Sequence, residues 1–119
     1  MRDEIMWWMS RLTIMLTSLF LSFTLAAQAY AADITMGSNG NLVFEPNDIT
    51  INAGDTVTFT NGALPPHNMV VADHPELSHG DLAFAVGDSF DVTFAEAGDY
   101  NFQCDPHAGA GMKGVVHVK

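Results

Sequence analysis

The stretch Gly98-Asp99-Tyr100-Asn101-Phe102-Gln103-Cys104-Asp105-Pro106-His107-Ala108-Gly109-Ala110-Gly111-Met112 carries two patterns in succession. Up to residue 104 it alternates. Tyr100, Phe102 and Cys104 share one face of an extended segment and polar Asn101 and Gln103 share the other, which is the period-two mark of a half-buried strand. From Cys104 onward the pattern becomes C-x2-H-x4-M, and it ends where a second alternating run begins, with Val116 and Val118 on one side and His117 on the other.

The same alternation extends upstream. Ile49 and Ile51 alternate with Thr50 and Asn52 before the turn Ala53-Gly54-Asp55. Val57 and Phe59 alternate with three threonines, and Met69 and Val71 follow. Phe90, Val92 and Phe94 form a further run before the turn Ala97-Gly98-Asp99. About seven or eight short strands punctuated by Gly, Pro, Asn and Asp predict an all-β sandwich or small barrel. Its expected core is Ile49, Ile51, Val57, Phe59, Val92, Phe94, Phe102 and Val116. No helical period longer than a turn or two is present from Asp33 onward, and Asp73 to Asp81, with Pro75 and Gly80, reads as an irregular loop with room for one helical turn.

The chemistry concentrates in Cys104, His107 and Met112, with His67 upstream in Leu64-Pro65-Pro66-His67-Asn68. One thiolate, two imidazoles and one thioether make a soft, asymmetric donor set. Zinc more often takes several thiolates, or His with carboxylates, whereas trigonal His2Cys with a long axial Met suits copper in both oxidation states. Gly109 and Gly111 give the short loop the freedom to turn its ligands onto one ion, and Pro106 stiffens the approach to His107. His74 and His79 sit in the acidic loop and His117 should face solvent, so none of the three is expected to hold the metal.

The N-terminal quarter differs. Arg11 precedes the apolar run Leu12 to Leu25, and Ala29-Tyr30-Ala31 ends it. A basic residue, a short apolar run and a small-x-small ending predict a secretory signal peptide over 1–31, removed to leave a domain of residues 32–119. Cys104 is the one cysteine, so no disulfide can form within the chain, and in an exported protein metal ligation would occupy the thiol. From Ala32 to Lys119 there are nine Asp and three Glu against two Lys and no Arg, a formal charge of −10. That excludes nucleic acid or an anionic membrane surface as a charge-driven partner; it would steer the chain towards a basic one or serve solubility alone, and charge does not separate the two.

At these residues the sequence resembles the plastocyanin family, over about Asp33 to Lys119. The most specific pieces are Leu64-Pro65-Pro66-His67-Asn68 and Cys104-x-Pro106-His107-x-Gly109-Ala110-Gly111-Met112, with support from Phe44-x-Pro46, Ala53-Gly54-Asp55-Thr56-Val57 and Gly98-Asp99-Tyr100. The resemblance implies a cupredoxin-type Greek-key β-sandwich with one copper ion, cycling between Cu(I) and Cu(II), on His67, Cys104, His107 and Met112. It implies a monomeric one-electron carrier, not an enzyme, passing electrons from cytochrome f to photosystem I in the thylakoid lumen. His107 would be the electron exit and Asn68 the brace of the ligand strands. Leu42, Leu64, Pro66, Gly109 and Ala110 would form the apolar contact surface for partners, which are met peripherally at the membrane.

Two positions and one loop depart from the family pattern. Gln103 stands where a tyrosine is usual, which favours a single electron route through His107. Ala108 removes a polar or basic contact, and the loop Asp73 to Asp81 is shorter, with Asp73 and Glu76 a thin acidic patch. The alternative is a periplasmic cupredoxin of the pseudoazurin type serving a respiratory reductase. A multicopper oxidase would need further His-rich motifs and another domain, and a copper carrier would want exposed, exchangeable ligands.

Overall fold

The structure, a computed structural model, describes residues 30–119. The signal peptide expected at 1–31 lies outside the described residues but for its last two. Nine strands follow: β1 (Tyr30–Ser38), β2 (Asn41–Glu45), β3 (Asp48–Ile51), β4 (Asp55–Asn61), β5 (His67–Val71), β6 (His79–Ala83), β7 (Ser89–Phe94), β8 (Gly98–Gln103) and β9 (Lys113–Val118). One sheet has the order β2-β1-β4-β7 and the other β3-β9-β8-β5-β6. β1 runs parallel to β4, and β3 parallel to β9, while the remaining neighbours are antiparallel. Neighbours so far apart in sequence require crossings between the sheets, as in a Greek-key sandwich.

The core lies between the sheets. Seven of the eight residues expected there are buried, and Ile49 is half-buried. Ile34, Met36 and Phe44 join them from β1 and β2. The phenylalanines of three strands meet edge to face, Phe44 against Phe102 at 4.7 Å and Phe59 against Phe102 at 5.6 Å between ring centroids. Such geometry adds to the burial of large apolar area and ties β2, β4 and β8 together.

One sequence expectation needs correction. Only the first part of Asp73 to Asp81 is irregular, with a single 3-10 turn at Pro75–Leu77, and His79 already starts β6. This edge strand has no apolar alternation. Backbone pairing holds it to β5, with His67 opposite Ala83 and Met69 opposite His79, and backbone pairing leaves no mark in side-chain periodicity.

Candidate metal centre

β5 begins with His67, and β8 ends one residue before Cys104. The two strands are antiparallel neighbours, pairing Val70 with Gln103 and Val71 with Phe102, so the histidine and the cysteine arrive at the same end of the sandwich. A 3-10 turn, Asp105–Ala110, follows Cys104 and carries His107. Gly111, at φ 86°, then reverses the chain in a conformation that favours glycine. Backbone bonds close the loop: the Cys104 amide donates to the Met112 carbonyl at 3.0 Å, and the Met112 amide to the His107 carbonyl at 3.2 Å.

Sγ of Cys104 lies 3.7 Å from Nδ1 of His67 and 3.5 Å from Nδ1 of His107. Ligand bonds of about 2.0–2.3 Å spread around one ion would set sulfur and nitrogen roughly 3.6–3.8 Å apart. The three donors therefore fit a single metal ion, and their ligand atoms all lie within 4.8 Å of one another. His67 and Cys104 are fully buried and His107 half-buried. Met112 is also fully buried, at the end of the same loop.

The tautomer of His67 follows from its partner. Nε2 is 2.7 Å from the Ala63 carbonyl, which can only accept, so Nε2 carries the hydrogen and Nδ1 presents its lone pair toward Cys104. Burial pushes the Cys104 thiol above its usual range, opposed by the backbone amides of Asn68 and His107. A bound cation would repay that desolvation and favour the thiolate. Asn68, itself buried, accepts from the Asp105 amide at 2.8 Å and donates to the Gly80 carbonyl at 3.0 Å. It thereby links β5 to the cysteine loop and to β6.

Residues 31–119 match the family model described as "Copper binding proteins, plastocyanin/azurin family". The chain belongs to the plastocyanin/azurin family. It is 45% identical over 103 residues to the chloroplastic plastocyanin of Hordeum vulgare, covering 79% of this chain and 66% of that one. Plastocyanin of Nostoc punctiforme is 42% identical over 123 residues, covering 91% and 88% respectively. Among solved structures, oxidized plastocyanin from Dryopteris crassirhizoma superposes with a TM-score of 0.66 at 34% identity, over 74% of this chain and all of that one. The protein is thus a plastocyanin-like cupredoxin and an electron carrier, with His67, Cys104 and His107 positioned for one copper ion.

The other histidines lie away from these three. Nδ1 of His74 is 2.8 Å from Glu76, His79 stacks on Phe90 at 3.9 Å, and His117 lies between Asp48 and Asp99. In the expected contact surface Leu64 is 49% exposed, Gly109 and Ala110 are exposed, and Leu42 and Pro66 are half-buried. Sequence periodicity did not single out Phe84 and Val86, which are the most exposed large apolar side chains among the described residues. It also missed Ala63, whose contribution is a carbonyl that every residue type carries.

Proposed function

We propose that the chain is an exported one-electron carrier that takes electrons from cytochrome f and delivers them to photosystem I in the thylakoid lumen. Its copper ligands are His67, Cys104, His107 and Met112, and residues 1–31 are the signal peptide that directs export. The observation that carries this reading is the placing of Nδ1 of His67 and Nδ1 of His107 at 3.7 and 3.5 Å from one buried sulfur. Bound copper would supply the Cu(I)/Cu(II) couple. The residues do the rest.

Cys104 provides a thiolate whose formation burial opposes until a cation is present. His67 is held in one tautomer by Ala63. Asn68 ties the start of β5, which carries His67, to the loop that carries Cys104. A centre braced in this way changes little between oxidation states, which keeps reorganisation small. His107, half-buried where its neighbours Gly109 and Ala110 are exposed, is the electron exit, and Gln103 offers no aromatic alternative. An apolar contact surface around it suits a brief encounter, in which release matters as much as binding.

Flash-induced re-reduction of photosystem I tests this reading. The reduced protein should accelerate it in proportion to concentration, and oxidised protein should be reduced by cytochrome f. Leu64→Glu, which sets a charge in the apolar surface, should slow both reactions about tenfold without altering the visible spectrum. Failure to react with either complex, together with rapid reduction of a periplasmic respiratory reductase, would move the chain to the pseudoazurin-like role.

A further inference from the structure

Resting on the reading of His67 as a copper ligand, we infer that Gly37 is a positioning residue of the metal centre. Its bare Cα lets β1 press against the His67–Ala63 hydrogen bond and hold it closed. The local structure begins with the strand itself. The register of β1 against β2 shifts between Met36 and Ser38, and Gly37, at φ 81°, occupies that bulge. β1 also continues beyond the end of its partner β4. The Gly62 amide donates to the Met36 carbonyl at 2.8 Å and the Ala63 amide to the Gly37 carbonyl at 2.8 Å. These two bonds anchor the chain up to Ala63, whose carbonyl accepts from Nε2 of His67 at 2.7 Å.

The space at this point admits no side chain. A Cβ on Gly37 would lie 1.9 Å from the Ala63 oxygen and 2.7 Å from Nε2 of His67, at both ends of that hydrogen bond. On the opposite wall, a Cβ on Gly62 would lie 2.3 Å from the Gly37 oxygen. Two glycines thus face each other, and the contact they allow sets which nitrogen of His67 is protonated. Ring orientation of a ligand histidine is ordinarily set by the partner of its other nitrogen. Here that partner is a carbonyl, and Gly37 keeps the carbonyl in place.

Gly37→Ala is the test, with Gly40→Ala as its control. Gly40 has a similar positive φ of 73° but nothing within 4 Å of an added Cβ, so it reproduces the backbone strain without the collision. In the metal-free protein, nitrogen-15 NMR should show His67 as the Nε2–H tautomer with slow exchange of that hydrogen in the wild type and in Gly40→Ala. In Gly37→Ala the exchange should accelerate at least about tenfold, and the Nδ1–H tautomer should appear. The reduction potential of the copper-loaded form should shift in Gly37→Ala and stay put in Gly40→Ala. A folded Gly37→Ala with the His67 signals and potential of Gly40→Ala overturns the inference. So does a wild-type His67 in the Nδ1–H tautomer, a measurement that does not need the variant to fold. Loss of copper binding in the wild type would instead count against the ligand assignment itself.

Discussion

The amide of Asp105 donates to the side-chain oxygen of Asn68 at 2.8 Å, joining the residue after the first histidine to the residue after the cysteine. Because His67 and Cys104 immediately precede these two, the bond sets the spacing of two metal donors that are 37 residues apart. Its acceptor is inside the protein, with Asn68 only 3% exposed, while Asp105 lies at the surface.

Asn68→Ala should therefore leave the Asp105 amide and the Gly80 carbonyl without their partner. The expected loss is about 0.5–1.5 kcal/mol for each bond, the net worth of an ordinary hydrogen bond, because both are only part-buried and water can reach the freed partners. Urea unfolding of the metal-free protein measures it, and chelator-driven copper release should quicken in parallel. An unchanged urea midpoint would mean that the brace contributes nothing.

Phe59→Ala should be among the most costly core changes. The ring is fully buried and lies 6.4 Å from Phe44, 5.4 Å from Phe90 and 5.6 Å from Phe102. Removing it should cost about 3–5 kcal/mol, against a total stability of roughly 5–15 kcal/mol for such a domain. The urea midpoint should fall steeply.

The core and the donors were legible because both are written in side chains. Val57 and Phe59 on β4, and Val92 and Phe94 on β7, face inward as their alternation with polar residues predicts. Cys104 and His107 meet because only two residues separate them, and His67 because β5 pairs with β8. β6 was missed for the opposite reason. His79-Gly80-Asp81-Leu82-Ala83 shows no alternation, and its strand character comes from backbone pairing with β5. Ala63 and Gly37 were invisible as parts of the centre for a related reason, since one acts through its carbonyl and the other through lacking a side chain.

His117 should give the stability a pH dependence. Its Nδ1 is 2.7 Å from Asp99 and its Nε2 3.1 Å from Asp48. The hydrogen bond to Asp99, before the charge of Asp48, raises its pKa above the usual 6.5. The folded value exceeds the unfolded one, so the stabilisation is fully present below pH 6.5 and is lost as pH rises through the folded pKa. Comparing urea midpoints of the wild type and His117→Gln from about pH 6 upward isolates this part. The difference should shrink as pH rises, and a difference that stays constant would mean the pair of aspartates holds no charge on the ring.

Met112→Leu should keep an intensely coloured copper form and raise its reduction potential. A thioether weakly bound to copper would help the oxidised ion more than the reduced one, so removing it would favour Cu(I). Voltammetry reads the change. An unaltered potential would leave Met112, buried at the end of the loop, as core filler.

The visible spectrum of the Cu(II)-loaded protein, recorded beside that of Cys104→Ser, tests the metal centre most directly. A thiolate and two imidazoles around one ion predict an intense band at about 600 nm in the wild type and none in the variant. A colourless wild type, or a band that survives in Cys104→Ser, would contradict the assignment of the buried sulfur as a copper ligand.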